Sequence, residues 1–283
     1  MPVQIIADSA CDLTAEDCQQ YGIEKLPLTV QLDGEEYEDG ISISSKKIYD
    51  AMREGKAPKT AQVSPQLFKD TFQKYAESNT SVIYLAFSSN LSGTYQAGKL
   101  MEQEIKEEFP DADLHVLDTK CASLGYGLVV LQAAALAQTG AHAKEIIQAS
   151  KHNYQHMEHI FTVDDLEYLY RGGRVSKTAA FVGTLLKVKP LLHMEDGKLI
   201  PLEKIRGSKK VYKRMLALME ERGVNLEQQT IGISHGDAIE TAEEIATMIR
   251  EKWQVKEIKI NMIGSSIGAH AGPGTIALFF LNE

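Results

Sequence analysis

Short apolar runs alternate with amphipathic stretches through the first half of the chain. The apolar runs cover residues 3–7, 81–87 and 114–117, polar residues follow each of them, and helical-period stretches lie between them. Bounded apolar runs indicate buried strands, and strands that alternate with helices indicate a parallel sheet with helices on both faces. The pattern therefore predicts a doubly wound α/β domain over residues 1–158.

The pattern of the second half is different. Two predicted strands within 187–205 form a hairpin, helical stretches follow, and the last two strands are predicted to be joined by a glycine-rich loop at 264–274. Hairpins mixed with helices are typical of an α+β arrangement. A second domain of that class is therefore expected over residues 159–283.

Polar residues predict several local elements in the first 80 residues. Ser44 is expected to cap a helix, and Ser64 followed by proline is expected to start the next one. Residues 26–32 are predicted to form a single strand that enters a hairpin turn. Thr60 is expected to be a loop hydroxyl.

A hydroxyl-rich segment follows the apolar run at 81–87. Its sequence is SSNLSGT at 88–94, and the helical pattern then continues from 94 to 108. The free backbone N–H groups at a helix start favour anions, and hydroxyl groups add further donors. The alternative is a well-capped helix in which one serine satisfies the first turn. The anion-binding interpretation gives as candidate residues Ser89, Ser92, Gly93 and Thr94.

Three further candidates lie elsewhere in the chain. Asp8 and Ser9 directly follow the first predicted strand, and ligands of open α/β sheets bind at the carboxyl ends of strands. The alternative for Asp8 is a turn or helix-capping carboxylate. His270 lies among glycines that permit a close approach of the backbone to a ligand, and its alternative is a structural histidine.

Composition and charge exclude several classes of function. The chain has 283 residues and a net charge of −9, with a pI near 5.5, which argues against nucleic acid as the main ligand. Three cysteines without a close pair predict neither a disulfide framework nor a zinc site, and they favour a reducing, cytoplasmic location. Neither a signal peptide nor a transmembrane segment is expected. His152 and His156 have a metal-compatible spacing, but no further ligand completes it, so a surface helix is favoured and no metal site is predicted.

The sequence contains neither GxGxxG nor GxxxxGK[ST]. The basic segment at 171–178 imitates a P-loop, but Ser176 stands where that motif needs glycine. The residues therefore favour a two-domain binder, without a cofactor, of a ligand with an anionic head group. Two hypotheses from other classes stay open: a stand-alone phosphotransferase or acyl hydrolase that uses His270 with a serine, and a small-metabolite sensor.

Seven short segments occur in order along almost the whole chain: 8–9, 59–64, 88–96, 118–119, 169–175, 187–192 and 268–274. Together they resemble the DegV family, the fatty-acid-binding proteins that serve as acyl-carrying subunits of bacterial fatty acid kinase. One departure is Val63, which stands where the family pattern usually has proline. It leaves Thr60 in place, but the shape of the loop around Thr60 stays open, and with it the sensor hypothesis.

The resemblance implies that a long-chain fatty acid such as palmitate lies buried between the two domains. The carboxylate is expected at Thr60 and Ser92, with His270 nearby. The apolar segments 181–192 and 276–280 are expected either to line the tail or to form ordinary core.

The resemblance also implies a partner. In the family a separate ATP-dependent kinase converts the bound carboxylate into an acyl phosphate, so this chain is expected to carry the lipid and to have no ATP site of its own. Guanidinium groups match phosphate oxygens in a bidentate manner. Residues expected to assist phosphate transfer or kinase docking are His270, Arg171, Arg174 and Arg206.

Overall fold

The structure is a computed structural model that describes residues 2–176 and 188–283. The strands are β1 (Val3–Asp8), β2 (Glu24–Leu26), β3 (Thr29–Leu32), β4 (Glu35–Glu38), β5 (Lys59–Ala61), β6 (Ser81–Ala86), β7 (Leu114–Asp118), β8 (Met157–Thr162), β9 (Val188–Glu195), β10 (Lys198–Arg206), β11 (Thr230–His235), β12 (Glu257–Met262) and β13 (Ile276–Leu281). The helices are α1 (Ala15–Tyr21), α2 (Ser45–Arg53), α3 (Pro65–Glu77), α4 (Thr94–Glu108), α5 (Ser123–Gln138), α6 (Ala143–Gln155), α7 (Leu166–Arg171), α8 (Ser208–Arg222), α9 (Ile239–Trp253) and α10 (Ser265–Ala271).

The first sheet consists of four parallel strands in the order β2-β1-β6-β7. All residues of β6 are buried, which explains why its sequence is apolar without alternation. Helices α3 and α6 pack against β6, α4 packs against β7, and α5 packs against β1. The parallel α/β class predicted for the first half of the chain is confirmed.

The second sheet has six strands in the order β10-β9-β8-β13-β11-β12. Strands β11 and β12 are parallel, and the other neighbours are antiparallel. Helix α8 packs against β8, β9 and β10, and α9 packs against β11 and β12. The α+β class predicted for the second half is confirmed.

Helix α5 connects the two large sheets. It packs against β1 of the first sheet and against β8, β11 and β13 of the second. Because it is covered from both sides, its buried residues include Leu124, Tyr126, Val129 and Val130, which lie on different faces of the helix. The apolar core around this helix therefore continues from the first half of the chain into one face of the second sheet, while α8 and α9 cover a separate core.

A third, small antiparallel sheet has the order β4-β3-β5. The single strand predicted for 26–32 is wrong, because β2 pairs with β1 whereas β3 pairs with β4 and β5. Thr60 was expected in a loop, but it lies in β5 opposite Val30. The β1–β2 and β3–β5 pairings have no local signal, because each joins strands that are separated by other elements of the chain.

The glycine-rich segment 264–274 contains helix α10, so the prediction of a simple loop there is wrong. Gly268 lies inside this helix and faces Tyr49. A Cβ atom at Gly268 would lie 2.7 Å from the Tyr49 hydroxyl oxygen. Glycine is thus required by close packing at this position, not by a turn.

Several local predictions are confirmed. Helix α4 covers 94–108 as predicted, and Ser44 Oγ accepts a hydrogen bond from the Lys47 backbone N–H at 3.3 Å. Pro65 is the first residue of α3, although the side chain of Ser64 makes no capping hydrogen bond. No helix in the described part of the chain combines the length and the apolar character needed to cross a membrane.

Candidate functional site

A narrow cavity lies where the two halves of the chain meet. The cavity has a volume of about 90 Å³. No Asp or Glu is among the described residues that line it. The apolar lining residues are Leu28, Phe87, Leu91, Ala122, Phe161, Leu169, Met194, Leu199, Ile263, Ile267, Ala271, Ala277 and Phe279. Such a lining suits an extended hydrocarbon group.

Three half-buried polar side chains in the lining come from three different elements. Thr60 lies in β5, Ser92 precedes α4, and His270 lies near the end of α10. Thr60 Oγ1 and His270 Nε2 are 2.8 Å apart and share a hydrogen bond. The sequence separation of this pair is 210 residues, so the bond ties the small sheet to the second half of the chain.

Arg174 links the segment before α4 to the backbone beside His270. Its Nε and Nη2 donate to the carbonyl oxygen of Leu91 at 3.1 and 2.9 Å, and its Nη1 donates to the carbonyl oxygen of Gly172 at 2.5 Å. Gly172 lies against the imidazole, because a Cβ atom there would be 2.2 Å from His270 Nδ1. Through Leu91 and Gly172, Arg174 thus connects the segment that carries Ser92 to the His270–Thr60 pair.

The two hydroxyl-bearing segments also meet directly. A Cβ atom at Gly93 would lie 2.2 Å from Oε1 of Gln62, so the chain after β5 packs on the residue that precedes α4. Ser92 Oγ accepts a hydrogen bond from the Thr94 backbone N–H at 3.2 Å and lies 2.9 Å from Thr94 Oγ1. Thr94 is buried and does not line the cavity, but it fixes the position of the Ser92 hydroxyl.

The charge of this region is positive or neutral. Burial, together with the charges of Arg174 and Arg171, lowers the pKa of His270 to about 4, so the imidazole is neutral at pH 7. Burial also lowers the pKa of the Arg174 guanidinium. A neutral imidazole, two hydroxyl groups and a guanidinium without a carboxylate partner in the lining form a site that favours an anion.

The rest of the hydroxyl-rich segment is used to hold other parts of the fold. Lys120 Nζ donates to Ser89 Oγ at 2.9 Å. Ser88 Oγ donates to the carbonyl oxygen of Gly197 at 2.9 Å, and Asn90 Nδ2 donates to that of Asp196 at 2.6 Å. The segment therefore anchors the β9–β10 hairpin, and Ser92 alone of its hydroxyl residues reaches the cavity lining.

Asp8 and Ser9 do not line the cavity. The Asp8 carboxylate accepts hydrogen bonds from the Tyr84 hydroxyl at 2.7 Å and from the Phe87 backbone N–H at 3.0 Å. Burial raises its pKa to about 6, even though these bonds act in the opposite direction. Ser9 Oγ donates to Asp39 Oδ2 at 2.8 Å. Both residues belong to the framework beneath the site.

The three predicted arginines have different surroundings. Arg174 lines the cavity. Arg171 is exposed at the end of α7, with its guanidinium carbon 5.3 Å from the ring centre of Tyr168. Arg206 is exposed at the end of β10. The predicted tail-lining segment 276–280 contributes Ala277 and Phe279, whereas most of 181–192 lies outside the described residues.

His159 is a lining residue that sequence reasoning did not select. Its Nε2 accepts a hydrogen bond from the Ala122 backbone N–H at 3.1 Å, and its Nδ1 donates to the carbonyl oxygen of Met157 at 3.0 Å. The ring packs edge-on against Phe279 at 5.2 Å between centroids. With both nitrogens satisfied by the protein, His159 presents its ring carbons to the cavity. Other polar lining residues without a signal in the sequence are Ser123, Ser266 and Thr275.

The buried position of His159 predicts a pH effect on stability. Burial lowers its pKa to about 4 from 6.5, so below pH 6.5 the unfolded state binds the proton more readily than the folded state. In ligand-free protein, the free energy of unfolding should fall relative to that of His159→Gln by up to about 3 kcal/mol between pH 7 and pH 4. Urea unfolding across this range measures the difference, and parallel curves for the two proteins would contradict it.

The geometry does not support a Ser–His hydrolase. The spacing GxSxG occurs at 232–236 and at 264–268. Ser234 lies within β11, where its hydroxyl bonds to Ser123, and Ser266 lies in the first turn of α10 with a buried hydroxyl that has no hydrogen-bond partner. Neither serine has the positive φ of a nucleophile elbow. In the described part of the chain, no cluster of His, Cys, Asp or Glu side chains is suited to a metal ion.

Comparison with known proteins decides the family. The family model described as "Uncharacterised protein, DegV family" matches residues 2–283. The chain belongs to the DegV family. A DegV domain-containing protein of Clostridium perfringens is 43% identical over 282 residues, which make up 99% of this chain and 97% of that protein. The resemblance inferred from the seven segments is therefore confirmed.

Solved structures of DegV proteins share the whole fold. A DegV family protein from Thermus thermophilus, described for its fatty acid binding, superimposes with a TM-score of 0.90 at 31% identity and 100% coverage of both chains. A stearic acid-binding protein from Eubacterium ventriosum has a TM-score of 0.90 at 26% identity, with 99% of this chain and 98% of that chain covered. Members of the DegV family with this fold thus include proteins that bind fatty acids.

Proposed function

We propose that this DegV protein binds a long-chain fatty acid, with the carboxylate at Thr60, Ser92 and His270 and the acyl chain in the apolar cavity. The observation that carries the proposal is the lining itself, which combines apolar side chains with this group of donors and includes no acidic residue among the described positions. The fatty-acid-binding relatives support it.

Hydrogen bonding within the site suits a carboxylate. If His270 carries its proton on Nε2, the imidazole donates to Thr60 Oγ1, and the Thr60 hydroxyl is left to donate to the ligand. Ser92 Oγ accepts from the Thr94 backbone N–H, so the Ser92 hydroxyl can also donate to the ligand. Two hydroxyl donors directed at one carboxylate form charge-assisted hydrogen bonds, which are stronger than neutral ones.

The acyl chain supplies most of the binding energy in this proposal. Each methylene group that leaves water contributes about 0.8 kcal/mol. The hydroxyl groups then fix the direction of the ligand, with its head at the half-buried group of Thr60, Ser92 and His270 and its tail among the buried apolar residues. This arrangement gives preference to a single-chain anionic lipid over a neutral one.

The head-group residues are half-buried, so a carboxylate held by them stays within reach of a second protein. The exposed guanidinium groups of Arg171 and Arg206 offer phosphate-compatible charge in the second half of the chain. The protein acts in this proposal as a carrier that presents the carboxylate to an ATP-dependent partner kinase for acyl-phosphate formation.

Native mass spectrometry tests the proposal. Purified protein should carry about one fatty acid per chain, and organic extraction should release it for identification. Thr60→Val and Ser92→Ala should each weaken binding about tenfold, the loss expected for one hydrogen bond to a charged group. Protein that is empty and rejects added fatty acids would contradict the binding role. Formation of acyl phosphate from ATP and fatty acid by this chain alone would contradict the carrier role.

A further inference from the structure

Carboxylates from the first half of the chain hold the first turn of α10. The Gly264 backbone N–H donates to Asp12 Oδ1 at 2.8 Å, and the Ser265 N–H donates to Asp39 Oδ1 at 2.9 Å. The Ser266 N–H donates to Asp39 Oδ2 at 3.2 Å. Three consecutive N–H groups, which a helix start leaves without partners, are thus bound by side chains more than 220 residues away.

Asp39 is itself rigidly held. Only 3% of its surface is exposed, and its Oδ2 also accepts a hydrogen bond from Ser9 Oγ at 2.8 Å. Ser9 Oγ in turn accepts from the Leu28 backbone N–H at 3.0 Å. The Asp39 backbone N–H donates to the carbonyl oxygen of Leu28 at 2.9 Å. Both the main chain and the carboxylate of Asp39 therefore have fixed positions at the edge of the small sheet.

The same small sheet holds the other end of α10. Asp39 directly follows β4, and Thr60 lies in β5, which pairs with β3 beside β4. Asp39 binds the start of the helix, and Thr60 bonds to His270 near its end. Because α10 has only seven residues, a shift of its first turn moves the His270 imidazole with it.

We propose that Asp39 is a positioning residue for His270, because it fixes the helix that sets the imidazole beside Thr60 and the ligand carboxylate. This inference rests on the proposed fatty-acid site and adds a residue to it that touches neither the cavity nor the ligand. Ser266, whose N–H donates to Asp39, lines the cavity four residues before His270 and hence on the same face of the helix.

The test separates the head-group contribution from the rest of binding. Palmitic acid and palmityl alcohol share a tail, but the acid alone offers a carboxylate. Asp39→Asn keeps the shape and removes an acceptor, so it should weaken binding of the acid about tenfold and of the alcohol less than about twofold. Nitrogen-15 chemical shifts of His270 should change as well, because the hydrogen bond to Thr60 is altered.

Asp17→Asn is the matched control. Asp17 is also a buried carboxylate that joins the two halves, since it binds Lys259 Nζ at 2.5 Å and the Thr14 backbone N–H at 3.2 Å, but it does not touch α10. It should lower the melting temperature without changing the ratio of acid to alcohol affinity. Asp39→Ala should enlarge the effect of Asp39→Asn, and where the alanine variant does not fold the asparagine variant still decides.

The outcomes separate a failure of the Asp39 inference from a failure of the proposed fatty acid binding. If the parent protein binds neither palmitic acid nor palmityl alcohol, the proposed function fails. If the parent binds the acid but Asp39→Asn weakens both ligands equally, or leaves the His270 shifts unchanged, Asp39 has only a structural role and the inference fails. Selective loss of the acid together with shifted His270 signals supports it.

Discussion

Ala277→Phe should weaken fatty acid binding by about 100-fold. Ala277 lies in β13, opposite Phe161 of β8, and lines the cavity with only 6% of its surface exposed. A benzyl group directed into this space displaces about three to four methylene groups of a bound tail. At about 0.8 kcal/mol for each methylene group, the loss is about 3 kcal/mol, which corresponds to about 100-fold in the dissociation constant.

The same substitution at an exposed position is the control. Ala135 lies on the exposed part of α5 and is not a lining residue, so Ala135→Phe should leave the affinity unchanged. Isothermal titration with palmitic acid measures all three proteins, and far-ultraviolet circular dichroism shows that each is folded. If Ala277→Phe binds the fatty acid as tightly as the parent, the tail lies elsewhere.

Local sequence patterns predicted those elements whose signals are local. Residues close to its two ends mark the boundaries of the helix at 94–108. Asp-Gly pairs likewise mark the turns of the β3–β4 and β9–β10 hairpins. Thr60 shows the limit of such reasoning, because its strand β5 exists only through pairing with β3, which lies 28 to 32 residues earlier in the chain. A three-residue strand has no periodicity to detect.

The sequence predicted an anion site along the hydroxyl-rich segment at 88–94, but only part of this segment lies at the cavity. Ser92 reaches the cavity, but Ser88 and Asn90 are bound to the tip of the β9–β10 hairpin more than 100 residues later in the sequence. A count of hydroxyl groups cannot tell donors that face a ligand from donors that face another loop. Their roles depend on tertiary contacts.

For a similar reason the sequence did not predict that His270 lies in a helix. Glycine at 264, 268, 272 and 274 favours a loop, yet the first turn of α10 forms because distant carboxylates satisfy its N–H groups. The family resemblance nevertheless selected Thr60, Ser92 and His270 together, and the structure places all three in the lining of one cavity. Their role in binding a carboxylate is a prediction that the Thr60→Val and Ser92→Ala variants test.

Asp8→Ala should lower the free energy of unfolding by about 3 kcal/mol or more, because each buried donor left without an acceptor costs about 1–3 kcal/mol. In this variant the Tyr84 hydroxyl and the backbone N–H groups of Phe87 and Ala10 lose their acceptor. Because Asp8 does not line the cavity, the folded fraction should bind palmitic acid as the parent does. Urea unfolding and titration measure the two effects, and a loss of affinity without a loss of stability would return Asp8 to the binding site.

The pH dependence of stability, compared between the parent and Asp8→Asn, isolates the effect of ionising the Asp8 carboxylate. Burial raises the pKa of Asp8 from 3.8 to about 6, so between these values the folded state holds the proton more tightly than the unfolded state. The parent should therefore gain stability relative to Asp8→Asn, by up to about 3 kcal/mol, as the pH falls from 7 to 4. His159 has the opposite sign over the same range, which flattens the profile of the parent itself. The difference between parent and variant is thus the quantity to measure, and a difference that shrinks on acidification would show that the buried carboxylate is stabilised in its charged form.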